Sequence, residues 1–274
     1  MLSFQMFRLR IYPAKPLLGL PRTPPEVLRE AIASLPSVEL RQGRTWHIGN
    51  VTSLDHEGLY FRVGRISHST MAVYDGQSFS DQEFETAPYT HVVLDPVLEV
   101  CALARQSRLA ATAQGIARQL AALLNHSRTA RDMDAEFEVA PIFDPNDLIA
   151  YLGRARAVSK FWVTFKRPNP FDADTDFQRP LQKILVESGG SKGKAQVEGD
   201  NLTVGALEKM ARAAAATGDD AAATMILPRE RARVQKRLKE NPVMLSQEDL
   251  ANGEQQQTLL ARMRDEYRRI RGGP

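Results

Sequence analysis

The sequence predicts an α+β fold in which antiparallel sheets pack against helices, with a helical region towards the C-terminus. Short segments that alternate apolar and polar residues, such as the one around Leu59, Phe61 and Val63, recur between turn residues and are typical of antiparallel strands. Other segments place apolar residues three or four positions apart, such as Ile116 and Leu120, which is typical of amphipathic helices. A 274-residue chain with 43% hydrophobic and 25% charged residues can also bury a substantial core.

The first part of the chain is predicted to be mostly strands. An apolar strand occupies residues 4–11, and a helix runs from Pro24 to about Leu35, because proline fits the first helical positions and Glu26 suits the helix dipole. A meander of antiparallel strands follows, and then a hairpin that turns at Asp95 and Pro96. The strands of the meander are predicted over residues 37–40, 44–53, 58–66 and 69–74.

Helices and strands alternate in the rest of the chain. Strands are predicted over residues 133–142, 155–165, 195–199 and 221–227. Residues 189–194, which include three glycines, are predicted to form a flexible loop. Helices are predicted over residues 109–124, after Asp144, from the acidic segment 172–176 to Val186, around Leu207, and at the C-terminus, where the apolar stripe consists of Leu259, Met263, Tyr267 and Ile270.

Charge is distributed unevenly along the chain, although the net charge is only +3. Residues 1–153 contain 14 Lys and Arg against 17 Asp and Glu, whereas residues 154–240 contain 17 against 11. We therefore expect an N-terminal α+β domain over residues 1–153 and a basic α+β and helical region over residues 154–274, which would also contain a dimer contact. The basic region is where an anionic partner would be attracted.

The densest basic segment lies between Arg229 and Lys239. If it is helical, Arg229, Arg233, Lys236 and Arg237 share one face, which could neutralise phosphates and release counterions. Further lysines in the same half of the chain add to this charge. The candidate nucleic-acid-binding residues are Lys160, Lys166, Arg167, Lys183, Lys192, Lys194, Arg229, Arg231, Arg233, Lys236, Arg237 and Lys239.

Two ligand-binding motifs fail at the positions that matter most. The glycine-rich segment would be a phosphate loop only with Gly at position 188 and a hydroxyl at position 195, where the chain has Ser188 and Ala195. An EF-hand loop that starts at Asp172 would need Gly sixth and Glu twelfth, where Phe177 and Lys183 stand. The five histidines are also scattered along the chain. The sequence therefore predicts no cofactor and no metal.

An acidic segment leaves an enzymatic alternative open. Asp132, Asp134, Glu136 and Glu138 would share one face of a predicted strand, and metal-dependent nucleases group carboxylates in this way. A solvated strand face is the simpler interpretation. Whether the chain is an enzyme is left open, and we lean towards a binding protein without catalytic residues.

The composition also bears on the compartment. Cys101 is the only cysteine, so no disulfide can form within the chain, which fits a reducing environment. The alanine-rich segment over residues 211–226 is interrupted by charged residues and falls short of the roughly 20 apolar residues needed to cross a bilayer. We expect a cytoplasmic protein that does not insert into membranes.

One stretch of the chain resembles a known family. A strand, an Asp-capped helix and the segment Ala-Val-Ser-Lys-Phe-Trp-Val-Thr-Phe-Lys-Arg-Pro-Asn-Pro, at residues 157–170, resemble the matching part of the RexA-like phage-exclusion proteins. The apolar strand over residues 221–227, which basic residues follow, is similar too. The resemblance implies an RdgC-like α+β fold and a homodimer that binds double-stranded DNA with little sequence preference in phage defence. The resemblance covers most of the chain in the pattern of its elements, but the only individual residues for which it implies a role are Lys166 and Arg167, through their basic character.

Three hypotheses follow from these observations. The first is a homodimeric, sequence-nonspecific DNA-binding protein of a prophage or phage-defence system, with RNA as a possible ligand. The second is a nuclease-like toxin that uses Asp134, Glu136 and Glu138 with a divalent metal. The third is a protein-interaction subunit of a defence complex, in which the C-terminal apolar stripe packs against a partner protein.

Overall fold

The computed structural model describes residues 1–13, 23–41, 44–166, 178–230 and 232–273. Its strands are β1 (Leu2–Pro13), β2 (Ser37–Arg41), β3 (Arg44–Ser53), β4 (Leu59–Arg65), β5 (Ser67–Tyr74), β6 (Phe79–Thr86), β7 (Tyr89–Asp95), β8 (Val100–Ala104), β9 (Ala135–Pro141), β10 (Ala157–Lys166), β11 (Lys192–Glu198), β12 (Ala221–Ile226), β13 (Arg233–Arg237) and β14 (Met244–Gln247). Its helices are α1 (Pro24–Ala33), α2 (Ala113–Asn125), α3 (Arg128–Met133), α4 (Asn146–Arg154), α5 (Gln178–Glu187), α6 (Val204–Thr217), the short 3₁₀ helix Leu238–Glu240, and α7 (Gly253–Arg271).

The larger antiparallel sheet is built around β1. Its strands are ordered β14, β1, β8, β7, β4, β3, β2, and β9 pairs with the second half of β1. Both faces of β1 are buried, because Phe4 and Met6 belong to one hydrophobic cluster while Phe7, Leu9 and Ile11 belong to another. The second cluster is completed by apolar residues of α1 and α2, so these helices cover one face of the sheet.

A second sheet of four antiparallel strands has the order β11, β10, β12, β13. Its buried face includes Phe161, Val163 and Met225, which join the same hydrophobic cluster as Phe4 and Leu207. Helix α6 packs against β10 and β12, α7 packs against β7 and β8, and these two helices pack on each other. The first cluster thus joins both sheets through the helices, and it contains residues from both sides of position 153.

The C-terminal part of the chain is integrated into this core. Strand β14 pairs with β1, with Phe4 opposite Leu245. The predicted helical stripe is confirmed in α7, and its four residues are at most 1% exposed. The stripe is therefore part of this chain's own core and is not available to a partner protein, which removes the observation behind the third hypothesis.

Most of the predicted elements are confirmed, with three kinds of difference. The predicted opening strand, the meander and the hairpin at Asp95 are present as strands. The helix predicted from residue 109 begins only at Ala113, where Thr112 caps it by accepting a hydrogen bond from the Gly115 N–H. Strands β6 and β14 and helix α3 were not predicted. The predicted helix start over residues 172–176 lies outside the described residues.

Strands β5 and β6 form a separate hairpin. In the part of the chain that the structure describes, each of these strands pairs only with the other, in a register that sets Tyr74 opposite Phe79. Large apolar side chains are exposed on it, with Met71 at 55% and Phe79 at 79%. An isolated two-stranded hairpin is only marginally stable in water. A further contact would therefore stabilise this hairpin.

Two features of the fold concern the crossing of membranes and the single cysteine. None of the helices within the described ranges combines the length and the apolar character that crossing a membrane requires. Cys101 is a free thiol on β8, and complete burial raises its pKa to about 12. The thiol is therefore part of the core and stays protonated near neutral pH.

Candidate nucleic-acid interface

The prediction of a basic helix between Arg229 and Lys239 is wrong. Residues 233–237 form β13, which pairs with β12 and places Arg237 opposite Ala222 and Arg233 opposite Ile226. Since side chains alternate along a strand, Arg233 and Arg237 lie on one face of the sheet and Lys236 on the other. The Lys236 ammonium instead lies 4.3 Å from the centre of the Tyr151 ring on α4. The predicted shared face does not form.

The same alternation sorts the side chains of β10. Phe161, Val163 and Phe165 are buried, so Lys160, Trp162, Thr164 and Lys166 point to the opposite side of the sheet. The register of β11 sets Lys192 opposite Lys166 and Lys194 opposite Thr164. The prediction of a loop at residues 189–194 is therefore wrong for its last three residues, which belong to β11.

We call this side of the four-stranded sheet the open face, because all its side chains except Ala222 are exposed or half-buried. Six of its residues are basic, and four of the six are exposed. The open face comprises Lys160, Trp162, Thr164, Lys166, Lys192, Lys194, Gln196, Glu198, Ala222, Thr224, Ile226, Arg233, Gln235 and Arg237.

Trp162 lies in the middle of the open face. A cross-strand row runs from Gln196 through Trp162 and Ala222 to Arg237. The Lys194 Nζ atom lies 4.3 Å and the Arg237 Cζ atom 5.5 Å from the centre of the Trp162 ring, which is the range of cation–π contacts. The small side chain of Ala222 lets Arg237 reach across β12 to the indole.

Several of the cations are already paired with carboxylates. Lys160 lies 2.9 Å from Glu198, and this contact lowers the pKa of Glu198. Arg237 lies 2.5 Å and Lys239 3.6 Å from the buried Asp220 carboxylate, and the hydrogen bonds that Arg237 donates to Asp220 raise the pKa of Arg237. These cations are partly neutralised.

Other cations have no such partner. Within the described ranges, no carboxylate lies within 4.0 Å of Lys192, Lys194, Arg229 or Arg233. Three of these four residues belong to the open face, whereas Arg229 precedes β13 in a left-handed backbone conformation with a φ of 66°. The strongest unbalanced positive charge therefore lies on β11 and β13.

The remaining predicted residues lie elsewhere. Lys183 is exposed on α5, where it pairs with Glu187 at 3.7 Å. Arg167 and Arg231 lie outside the described residues. The predicted set of twelve is therefore only partly brought together on one surface.

The acidic segment does not form the predicted carboxylate face. Asp132 lies on α3, and Asp134 ends that helix in a left-handed conformation with a φ of 47°, so only Glu136 and Glu138 lie on β9. No group of three His, Cys, Asp or Glu side chains suited to a metal ion occurs in the ranges that the structure describes. This geometry gives the nuclease hypothesis no support.

Glu138 instead belongs to a polar junction between the two sheets. Its carboxylate accepts hydrogen bonds from Lys166 of the open face and, at 2.9 Å, from the Tyr12 hydroxyl. Burial raises the pKa of Glu138, but the contacts with Lys166 and Arg10 outweigh it, so the pKa is lowered overall. The junction continues from Tyr12 to Arg10 and on to Asp219, and it joins β9 to β10.

Sequence reasoning did not single out Trp162. The sequence did contain a signal for it. Trp162 lies between the apolar residues Phe161 and Val163, at a spacing that places it on the same side of the strand as Lys160 and Lys166. A tryptophan among lysines on the polar side of a strand indicates an accessible aromatic ring.

Comparison with known proteins adds no relative. No protein-family model matches the chain, and no curated protein matches it in sequence. The fold and the site together define an α+β protein with a basic, aromatic sheet face.

Proposed function

We propose that this chain is a sequence-nonspecific DNA-binding protein that holds the nucleic-acid backbone on the open face. The observation behind this proposal is that Lys192 and Lys194 on one edge strand and Arg233 on the other edge strand belong to one accessible sheet surface, without carboxylate partners among the described residues. Cations in this arrangement gain affinity by displacing the counterions of phosphates.

The chemistry of the open face favours binding without sequence preference. Lysine ammonium groups and exposed guanidinium groups contact phosphates, which are the same at every base pair, and such contacts fix position but not sequence. Recognition of base edges is therefore not proposed.

The resemblance to RexA-like proteins supplies the biological part of the proposal. It favours double-stranded DNA as the ligand, an RdgC-like fold, a homodimer and a role in a prophage or phage-defence system. The basic residue that the resemblance and the open face have in common is Lys166, at the end of β10. A protein partner from the same defence operon would be compatible with this role.

The proposal predicts strongly salt-dependent binding of DNA. If about four phosphates are contacted, affinity for a labelled duplex should fall roughly 100-fold between about 0.05 M and 0.2 M salt. Fluorescence anisotropy with two duplexes of unrelated sequence would measure this, and the two affinities should agree within about threefold. An RNA duplex in the same assay tests the second ligand. Absence of binding, or binding that salt does not weaken, would contradict the proposal.

We propose that the homodimer forms through the separate hairpin and not through residues 154–274, where the sequence predicts the dimer contact. The two edges of this hairpin differ in charge. Strand β6 carries Asp81, Glu83 and Glu85, whereas β5 carries no Asp, Glu, Lys or Arg. Charged side chains are a common protection of sheet edges against pairing, so β6 is protected and β5 is not. We propose that β5 pairs antiparallel with β5 of a second copy about a two-fold axis.

Pairing of β5 with β5 of a second copy would join the uncharged faces of the two hairpins. Met71 and Phe84 lie on the same face of the hairpin, because Met71 is opposite Gln82 and Ser69 is opposite Phe84. Pairing of two hairpins would make a four-stranded sheet with this face continuous across both copies. A sheet of that size with an apolar face is more stable than an isolated hairpin.

A charge placed on β5 should break the dimer, and the same charge on β6 should not. Met71→Glu would bring two carboxylates together near the two-fold axis and weaken dimerisation roughly tenfold or more. Gln82→Glu adds the same charge on the same face at the other edge and is the control. Light scattering coupled to size-exclusion chromatography would measure both. A monomeric wild-type protein, or equal effects of the two variants, would refute this interface.

A further inference from the structure

We infer that the indole of Trp162 is a stacking site for an unpaired nucleobase, so that single-stranded nucleic acid gains affinity on the open face that a duplex does not. This inference rests on the proposed function and adds a preference to it. The chain has two tryptophans, and they differ in exposure. Trp46 is 4% exposed in the core, whereas Trp162 is half-buried on an accessible sheet surface.

The two cations beside the indole differ in how firmly they are held. Arg237 donates from Nε and Nη2 to the same oxygen of Asp220, at 2.9 and 2.5 Å, and the Asp220 side chain is only 3% exposed. Lys194 has no carboxylate partner among the described residues, and its ammonium lies over the ring. Arg237 is thus a fixed cation, and Lys194 can move away from the ring.

This difference between the two cations would allow a nucleotide to bind at the indole. A base can take the place of the Lys194 ammonium on the ring, because an exposed cation–π contact is weaker than the stacking of a base on an aromatic side chain. The displaced ammonium can then contact the phosphate of that nucleotide. Lys192 is exposed two positions from Lys194 on the same side of β11, where it can contact the next phosphate.

A duplex cannot use the indole in this way. Its bases are stacked on one another, so their faces are covered, whereas an unpaired base offers its face to an aromatic ring. Stacking does not distinguish between bases, so it is compatible with binding without sequence preference. Phosphate contacts remain available to both forms.

The test compares two labelled ligands, an oligothymidine of about 30 nucleotides and a duplex of about 30 base pairs. Trp162→Leu should weaken oligothymidine binding by roughly 5- to 150-fold and duplex binding by less than about threefold. Trp162→Phe, which keeps an aromatic ring, should retain most of the affinity for oligothymidine. Oligothymidine should also quench the tryptophan fluorescence of the wild type but not of Trp162→Leu.

The outcomes separate the inference from the proposed function. If both ligands bind and Trp162→Leu weakens them equally or not at all, the stacking site is refuted while DNA binding on the open face stands. If the wild type binds neither ligand, the proposed function fails, and the stacking site fails with it. Circular dichroism of each variant ensures that a loss of binding is not a loss of folding.

Discussion

Reversing the charge of Lys194 and Arg233 together should reduce the affinity for DNA by about two orders of magnitude at ~0.1 M salt. Both residues lie on the open face, and neither has a carboxylate partner among the described residues. Each reversal removes a phosphate contact and adds a repulsion. The slope of log affinity against log salt should become shallower by about two, because two fewer counterions are released.

The matched control is the double variant Lys183→Glu and Lys236→Glu. It changes the net charge by the same amount, and both residues are among those that the sequence predicts to bind nucleic acid. However, Lys183 lies on α5, and Lys236 points to the other face of β13. This variant should bind DNA within about threefold of the wild type.

Anisotropy titrations of both double variants, with thermal unfolding to check that each is folded, decide between two explanations. Equal losses would show that overall charge, and not the open face, determines binding. Normal binding by the Lys194 and Arg233 variant would exclude the open face as the site.

All four residues changed in these variants were predicted to bind nucleic acid, but sequence periodicity could not show which of them share one surface. Local patterns predicted β10 and α7 well, because both alternate or repeat apolar residues over ten or more positions. The basic segment has no such pattern. Arg and Lys favour helices intrinsically, but residues 233–237 are held as a strand by pairing with the preceding strand β12, and the basic segment by itself does not reveal this pairing.

The glycine-rich segment shows the same limit. Glycines between polar residues are typical of a flexible loop, yet Gly193 lies in β11 opposite Phe165. A side chain at this position would collide with the Phe165 ring, so the glycine allows a close approach. The sequence shows that this position is a glycine, but the reason a glycine is needed is the ring of Phe165, on a strand that is distant in sequence.

Buried charge was the least predictable feature. Arg10 lies on the opening strand, which is otherwise largely apolar, and its spacing from Phe4 and Met6 places it on the same face as these core residues. A charged residue on a buried face needs a partner, but nothing local identifies Asp219, 209 positions away. The polar junction is therefore a tertiary feature.

Loss of the buried ion pair between Arg10 and Asp219 should have a large effect on stability. Arg10 is 5% and Asp219 6% exposed, and their Nη2 and Oδ2 atoms lie 3.1 Å apart. Arg10 also donates to the Thr217 carbonyl and the Tyr12 hydroxyl. Burial lowers the pKa of Arg10, but Asp219 and Tyr12 outweigh it and raise the pKa overall, so the guanidinium stays charged.

Asp219→Ala would leave this guanidinium buried without its partner. We expect the free energy of unfolding to fall by about 3–5 kcal/mol, because an uncompensated buried charge is costly. Asp132→Ala removes a partner of the exposed pair with Arg128 and should cost less than about 1 kcal/mol. Urea denaturation at neutral pH measures both variants.

A double variant tests whether the loss comes from the orphaned charge. Adding Arg10→Met to Asp219→Ala removes the guanidinium and should restore part of the stability, since a buried pair can often be replaced by apolar side chains at little cost. If the double variant is less stable than Asp219→Ala by the full effect of Arg10→Met alone, the two residues are not coupled. In that case the junction would not depend on this ion pair, and the hydrogen bond from Arg10 to the Thr217 carbonyl would be the contact that joins β1 to the end of α6.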